Sequence, residues 1–437
     1  MLSREKNEKL TRVEGKALMG QYIRRFWLPF LLSSDLPEPD CEPMRVRLLG
    51  EDLVAFRDTS GRVGLVEKYC AHRRADLWFG RNEENGLRCT YHGWKYDITG
   101  QCVEAPTEPH GSNFASKVRI TAYPVIEKAG ILWTYMGPRK ATPELPDFEF
   151  MHLPDSHVFI SWCIQQCNWV QAVEGGIDTV HSVYLHSTLD AHRRLAEWKA
   201  QGVQTRDPQR RFRTRDNPPR LFAKDTDYGV LVGGRYQGDG DEDYWRFNLF
   251  LLPFYTMPPS QPRQKLLHAF VPLDDMTTAR WTISWNLDRP FTGREVAEMR
   301  SGSGVHVAVI PGTHLPVRNK ANNYLIDREE QRTLTYTGIR GIGEQDFSVQ
   351  EGMGPIVDRS RERLGVTDVG IIQMRQRLLR EAAALQEGKE PYAAHHGRVY
   401  LIHAGDALLP AGVADWTTHE RTQQALAVQV TAVPVGA

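Results

Sequence analysis

The stretch CAHRRADLWFGRNEENGLRCTYHGW, residues 70–94, contains two short motifs that each pair one cysteine with one histidine. Cys70 and His72 are separated by one residue, Cys89 and His92 by two, and sixteen residues lie between the two motifs. Thiolates and imidazoles are the ligands that proteins use for zinc and for iron–sulfur clusters. The stretch therefore predicts a metal centre held by two loops.

The order of the ligands distinguishes between two kinds of metal centre. A zinc finger usually presents its two cysteines together and its two histidines together on a helix. Here each loop supplies one of each between predicted strands, which suits a Rieske-type [2Fe–2S] cluster with two thiolates and two imidazoles. Gly93 would let the backbone approach the cluster, and Trp94 would shield it from water. A Cys₂His₂ zinc site and four unrelated residues are the alternatives.

The whole chain has the composition of a globular protein. Its 437 residues predict two or three domains, and its 54 basic residues balance its 54 acidic residues, which argues against a nucleic-acid partner. The N-terminus lacks the apolar core of a signal peptide, and apolar runs such as WLPFLL are too short to span a bilayer. We therefore expect a cytoplasmic protein with no membrane partner. The other cysteines are expected to be ordinary apolar or surface residues: Cys41, Cys102, Cys163 and Cys167.

Hydrophobic periodicity predicts an α+β fold. Residues 40–140 alternate apolar and polar positions between short turns, which predicts an all-β domain with the two motifs in its loops. Residues 1–39 form an N-terminal segment expected to pack with the second domain. Residues 141–437 predict that domain, an antiparallel sheet surrounded by helices. Its segment TDVGIIQMRQRLLREAAALQEGKEP is an amphipathic helix predicted to end at Gly388.

A second constellation follows in NWVQAVEGGIDTVHSVYLH, where Asp178, His181 and His186 form the pattern D-x-x-H-x-x-x-x-H. Two histidines and a carboxylate are the ligands of mononuclear iron sites that leave positions open for O₂. Asp178 and His181 share a face of an ideal helix, whereas His181 and His186 lie roughly 140° apart on one. The pattern predicts a helix irregularity between the two histidines. The alternative is an acid and two histidines on a surface helix.

The segment YCAHRRADLWFGRNEENGLRCTYHGWKYD resembles the Rieske domain of Rieske non-haem iron oxygenases, which hydroxylate or demethylate aromatic compounds. The resemblance implies that Cys70, His72, Cys89 and His92 hold a cluster that receives single electrons and passes them on. It also implies that His181 and His186 bind Fe(II). Asp178 would then be the catalytic bridge, since its carboxylate would bind His181 and a cluster histidine of the neighbouring subunit in a head-to-tail trimer.

The third iron ligand is expected in GIGEQDFSVQEGMGPIVDRS, where four acids are candidates: Glu344, Asp346, Glu351 and Asp358. We choose Asp346 because the resembled family commonly has its carboxylate ligand in an acidic or glutamine–aspartate dipeptide at the start of a helix. Asn168 precedes the predicted helix. It either lies near the iron without binding it or caps the helix N-terminus.

Nearly the whole chain resembles the phthalate dioxygenase branch of the family, in the stretches WLPFLLSSDLPEPD, RVRLLGEDLVAFRD, YHGWKYDITG, NYLIDREEQRT and QDFSVQEGMGPIVDRSRERLG. The resemblance implies a terminal oxygenase that uses O₂ to cis-dihydroxylate an aromatic carboxylate such as phthalate, isophthalate or a chlorobenzoate. It also implies an NADH-dependent flavin and iron–sulfur reductase, together with homotrimers or stacked trimers. A methoxybenzoate O-demethylase and an electron carrier without oxygen chemistry are the alternatives.

A carboxylate substrate calls for arginine, whose planar fork matches a carboxylate. Arg246 lies between apolar and aromatic residues in YWRFNLFLLP and is the first choice for this contact. Arg215 in the arginine-dense stretch TRDPQRRFRTRDNPPR is the second choice. The alternatives are that such loop arginines are solvated and that Arg246 pairs with an acid. Arg73, Arg74 and Lys95 are expected to be exposed near the cluster, where they would dock an acidic partner.

Overall fold

A computed structural model describes residues 2–139, 142–190, 197, 208–260 and 263–428. Within these residues the strands form four sheets, and paired strands run antiparallel. Helices pack around the largest sheet, so the predicted α+β class is confirmed.

The helices have the following bounds: α1 (Arg4–Thr11), α2 (Leu18–Ile23), α3 (Trp169–Ile177), α4 (Pro208–Phe212), α5 (Gly293–Arg300), α6 (Arg328–Thr333), α7 (Ile342–Gly352), α8 (Val369–Gln386) and α9 (Glu420–Leu426). The strands of the first part of the chain are β1 (Trp27–Leu32), β2 (Met44–Leu48), β3 (Glu51–Arg57), β4 (Val63–Glu67), β5 (Arg81–Glu83), β6 (Gly86–Arg88), β7 (Lys95–Tyr96), β8 (Cys102–Glu104), β9 (Ala122–Tyr123), β10 (Val125–Lys128) and β11 (Ile131–Tyr135). The later strands are β12 (Val158–Gln165), β13 (Arg220–Asp225), β14 (Gly229–Tyr236), β15 (Glu242–Leu251), β16 (Tyr255–Met257), β17 (Gln264–Pro272), β18 (Thr278–Asn286) and β19 (Gly405–Pro410).

Two small sheets, in the orders β2-β3-β4-β9 and β5-β6-β7-β8, share one apolar core and carry both Cys/His motifs in their loops. Tight hairpins set their registers. Leu49 and Gly50 both have positive φ between β2 and β3, and Glu84 and Asn85 both have positive φ between β5 and β6. Two consecutive residues with positive φ match the right-handed twist of the strands they join.

The N-terminal segment contacts both domains. Helices α1 and α2 pack against α8 of the second domain. Strand β1, in contrast, pairs with β11, which also pairs with β10. The segment 1–39 therefore contributes to both parts of the molecule, and the predicted division at residue 40 separates β1 from its partner strand.

The second domain is built on a sheet with the strand order β12-β18-β17-β16-β15-β14-β13, and β19 pairs with the first half of β15. Helices α3 and α8 lie on one face of this sheet. The amide of Asn248 in β15 donates to the carbonyl of Ile177 at the end of α3 (3.5 Å), and Gly370 of α8 lies against Val232 of β14. Arg246 lies two residues from Asn248 on the same face, so this face carries the predicted substrate residue.

The predicted helix near the C-terminal end is confirmed as α8, and Gly388 follows it with φ +83°. Its buried side includes Arg375, which donates to Glu174 of α3 at 2.6 Å. Arg359 donates to both oxygens of Glu174, at 2.8 and 2.9 Å, and to the side chain of Asn7 of α1 at 3.0 Å. These charge-assisted bonds fix α3 against α1 and α8.

Replacement of Glu174 by alanine should lower the free energy of unfolding by about 3–5 kcal/mol, because it leaves the wholly buried guanidinium of Arg359 without its carboxylate. Urea denaturation measures this loss. The matched control removes the acid of the exposed pair Glu5–Lys9, where Glu5→Ala should change the stability far less because water screens that pair. Equal losses in the two variants would contradict the proposed weight of the buried network.

Candidate metal centres

The two Cys/His motifs lie side by side in the folded chain. Cys70 and Cys89 are buried next to each other, whereas His72 is exposed and His92 is partly exposed. The two imidazole rings approach with their centroids 4.4 Å apart. Each cysteine opens a similar turn, since its carbonyl accepts the backbone N–H four residues on, from Arg74 (3.0 Å) or from Gly93 (2.9 Å). Burial raises the pKa of Cys89.

Aromatic side chains surround this group. The Trp94 ring stacks on His72 at 4.6 Å and packs against Phe114 at 5.5 Å. The Tyr96 hydroxyl lies 3.1 Å from Cys70 Sγ and accepts the backbone N–H of Ala71. Two buried sulfurs with two imidazoles facing outward are a donor set that fits a Rieske [2Fe–2S] cluster, in which one iron has thiolate ligands and the other has imidazoles.

The prediction for Lys95 is wrong. Lys95 is buried, and its ammonium is paired with Glu84 (3.1 Å) and with Glu104, because β7 lies between β6 and β8. Arg73 and Arg74 are exposed as expected. Arg74 pairs with Glu67 at 2.6 Å.

The second constellation converges on one point. The Nε2 atoms of His181 and His186 are 3.1 Å apart, and Oδ1 of Asp346 lies 3.7 Å from the first and 3.3 Å from the second. Among the described residues, these three side chains form a group of potential metal ligands whose ligand atoms all lie within 4.8 Å of one another. Two imidazole nitrogens and one carboxylate oxygen on one side of a point fit a mononuclear iron site with open positions.

Helix α3 ends at Ile177, so the predicted shared helix face of Asp178 and His181 is wrong. The chain instead turns, and His181–Val183 form a 3₁₀ turn before His186. Asp178 still reaches His181, with 3.4 Å between Oδ2 and Nδ1. Although burial raises the pKa of Asp178, the contact with His181 and the backbone N–H groups of Val180 and His181 together lower it overall. The break in the helix lets the two imidazoles point inward together.

Asp346 lies on α7, and the other acids named as candidate ligands have different partners. Burial raises the pKa of Glu344, which accepts a bond from Arg318 at 3.3 Å. Glu351 accepts bonds from the Tyr324 hydroxyl (2.6 Å) and from the backbone of Gln166.

Two further predicted residues lie outside this group. Asp358 is exposed and accepts a bond from Ser360. Asn168 caps α3 by accepting the Val170 N–H at 3.1 Å, and its amide donates to the Thr11 and Asp275 carbonyls, which confirms the capping alternative.

Arg246 is 4% exposed on the sheet face below α3. Its Nη1 donates to the Gln209 side chain at 2.8 Å and its Nη2 to the Pro259 carbonyl at 3.3 Å, while its Nε has no partner among the described residues. Arg213, one of the arginines in the stretch TRDPQRRFRTRDNPPR, is close enough to Arg246 for the two charges to interact. Burial and then the charge of Arg246 lower the pKa of Arg213 to about 10. The charge of Arg213 also opposes the rise in the pKa of His181, although the carboxylates of Asp178 and Asp346 dominate that rise.

Arg215 contacts the loop that carries both histidines. Its guanidinium lies between the rings of Tyr184 and Tyr336, 4.8 and 4.9 Å from their centroids. It donates to the Ser187 hydroxyl at 2.9 Å and to the Val183 carbonyl at 3.4 Å. A contact between Arg215 and substrate stays a prediction. Arg206 of the same arginine-dense stretch lies outside the described residues.

Comparisons with known proteins match both domains. The family model described as Rieske [2Fe-2S] domain matches residues 26–124, and the model described as LigXa C-terminal domain like matches residues 134–433. The chain is 39% identical to the phthalate 4,5-dioxygenase oxygenase subunit of Pseudomonas putida, over 89% of this chain and 88% of that protein. It is 36% identical to the 3-chlorobenzoate-3,4-dioxygenase oxygenase subunit of Comamonas testosteroni, over 94% and 96%.

A further relative is the 5,5'-dehydrodivanillate O-demethylase oxygenase subunit of Sphingobium sp. (strain NBRC 103272 / SYK-6). It is 33% identical to this chain, over 90% of this chain and 83% of that protein. Among solved structures, Pseudomonas putida CBB5 NdmA with caffeine has the same fold, with a TM-score of 0.57 and 20% identity over 86% of this chain and 96% of that one.

Across the part of the chain that the structure describes, none of the helices has the length and apolarity that crossing a bilayer requires.

Proposed function

From the premise that this chain belongs to the Rieske oxygenase family, as an oxygenase subunit with a LigXa-type C-terminal domain, we propose that it cis-dihydroxylates an aromatic carboxylate. The chain is an oxidoreductase that carries a Rieske [2Fe–2S] cluster and a mononuclear iron. The observation that supports the substrate class is that two arginines, Arg213 and Arg246, have charges that act on each other and no acidic partner among the described residues. Arg246 lies on the sheet face that meets the end of α3, from which the loop with the predicted iron ligands begins.

Cys70, His72, Cys89 and His92 would hold the cluster, and three further residues, His181, His186 and Asp346, would hold the iron. When bound, the cluster supplies single electrons and the iron supplies open positions at which O₂ is activated. Asp178, which lies 3.4 Å from Nδ1 of His181, would direct the Nε2 lone pair of that imidazole inward.

Arg213 and Arg246 would bind the carboxylate of the substrate. A guanidinium held away from water without a counter-ion is costly, and a planar carboxylate compensates for that cost through two parallel hydrogen bonds. An acid entering this pocket is therefore favoured over a neutral ring of the same shape. A dicarboxylate such as phthalate matches two cations better than a monocarboxylate does.

Asp178 would join two subunits. One of its oxygens accepts the Val180 N–H at 2.7 Å and the other faces His181, yet a quarter of its side chain remains exposed. The exposed His72 offers an imidazole N–H that a second copy of the chain would present to this carboxylate. A head-to-tail homotrimer, single or stacked, supplies that contact, and an NADH-dependent reductase supplies the electrons.

O-demethylation of a methoxybenzoate is the second candidate, supported by the likeness to the dehydrodivanillate enzyme. An electron carrier without oxygen chemistry does not account for the convergence of His181, His186 and Asp346.

The test is product analysis with the reconstituted enzyme and reductase. We expect oxygen uptake and a cis-dihydrodiol acid from phthalate, isophthalate or a chlorobenzoate. Formaldehyde from a methoxybenzoate, without diol from any of these acids, would establish the demethylase instead. Reduction of the cluster without oxygen uptake on any aromatic acid would overturn the oxygenase proposal.

Replacement of Arg246 by methionine should raise the KM for a carboxylated substrate by about 30-fold or more, which corresponds to ~2 kcal/mol for a lost buried charge pair. The KM for the matching amide should change far less, since the amide brings no charge. Arg235 of β14 faces the opposite side of the sheet and pairs with Asp243, so Arg235→Met serves as the control. Equal increases for acid and amide would discredit the assignment of Arg246.

Replacement of Asp178 by asparagine should slow product formation by about 10- to 100-fold, because the link between His181 and the neighbouring subunit is weakened. Iron content and the absorption spectrum of the cluster should stay normal. Single-turnover kinetics of the pre-reduced enzyme measure the effect, with Asp358→Asn as a control at an exposed aspartate. Normal turnover in the Asp178 variant would reject the bridge.

A further inference from the structure

Gln345 precedes the predicted iron ligand Asp346 on α7 and contacts a different ligand, His186. The Oε1 atom of Gln345 lies 2.7 Å from His186 Nδ1, and its Nε2 donates to the carbonyl of Ile339 at 2.8 Å. Only the amide nitrogen can donate to a carbonyl, so the amide oxygen must be the atom that faces the imidazole. Gln345 is 9% exposed, and both of its polar atoms are satisfied by these two contacts.

This arrangement determines the tautomer of His186. An acceptor oxygen opposite Nδ1 requires a proton on that nitrogen, which leaves the lone pair of Nε2 free. The same Nε2 points at the convergence point, 3.3 Å from Asp346 Oδ1. We propose that Gln345 is a positioning residue that holds His186 as an Nε2 ligand of the iron. This proposal rests on the iron ligands of the proposed function, and it gives a role to the glutamine that precedes Asp346 in the sequence.

The two histidines are held in different ways. His181 has the carboxylate of Asp178 beside its Nδ1, whereas His186 has the neutral amide of Gln345. A carboxylate makes an imidazole a stronger donor to metal than an amide does, so the two ligands are electronically unequal. A third negative charge beside Asp346 and Asp178 would favour the ferric state of the iron. The neutral amide of Gln345 avoids that charge.

One helix therefore positions two of the three ligands. Helix α7 supplies Asp346 directly and His186 through Gln345, and Gly343 near its start lets the buried Arg280 approach within 3.7 Å of the other Asp346 oxygen. A shift of α7 moves both ligands together. Its C-terminal end is held separately, where Gln350 accepts a bond from Gln165 at 2.6 Å.

Replacement of Gln345 by leucine removes the acceptor for His186 while keeping a side chain of similar size. The affinity for Fe(II) should fall by about 10- to 100-fold, measured by competition with a chelator in the full-length enzyme with its cluster intact. The EPR spectrum of the ferrous nitric oxide adduct should also broaden, because the ring is free to turn. The cluster absorption should be unchanged. Gln345→Glu keeps an acceptor oxygen and should bind Fe(II) more tightly than the leucine variant.

Gln350→Leu is the matched control, since it removes another buried amide on the same helix without contact to a ligand. Wild-type affinity and an unchanged nitric oxide spectrum in Gln345→Leu would overturn the inference, as would an equal loss in Gln350→Leu. If the leucine variant does not fold, an affinity of Gln345→Glu about tenfold or more below that of Gln350→Leu overturns it as well, because the glutamate keeps the acceptor oxygen. His186→Ala tests the ligand assignment separately, because retention of iron in that variant would refute the proposed iron site itself.

Discussion

The convergence of two imidazole nitrogens on one carboxylate oxygen depends on where helix α3 ends. Five residues separate His181 from His186, and on a continuous helix their side chains would diverge by roughly 140°. The helix ends at Ile177, Asp178 leaves it with extended backbone, and a 3₁₀ turn brings both Nε2 atoms within 3.1 Å of each other. Glu174 fixes this end of the helix from beneath, through two buried arginines. The buried charge of Glu174 thus holds the end of the helix from which the loop with both histidines begins.

The arginines in the interior fall into two groups, those paired with acids and those without an acidic partner among the described residues. Arg359 and Arg375 pair with acids at 2.6 to 2.9 Å and hold helices together. Arg246 and Arg213 have amide, carbonyl and phenol groups around them, and no carboxylate pairs with either among the described residues. Under the proposed function, the carboxylate of the substrate supplies the negative charge that Arg246 and Arg213 lack. This contrast separates the proposed substrate pocket from the scaffold.

Much of this site could be predicted from local sequence, and the remainder depends on distant contacts. The Cys/His spacing and the D-x-x-H-x-x-x-x-H pattern are local, and periodicity placed α8 correctly because one face of that helix is apolar. Periodicity did not reveal that Arg375 is buried, nor that Lys95 is paired with Glu84 of a hairpin turn and with Glu104 of β8. Gln345 and His186 are 159 residues apart in the chain. Asp346 was chosen among four acids by resemblance, since spacing alone does not identify which acid reaches the histidines.

Strand β1 pairs with β11 although ninety-odd residues separate them, and the two helices before β1 pack on the other domain. A fragment that begins at residue 40 would lack this strand, and β11 would present a bare row of backbone N–H and C=O groups to other molecules. Isolated preparations of the cluster-bearing half should therefore start near residue 26. The same crossing of the polypeptide connects the two halves at two points, which restricts their relative rotation more than a single linker would.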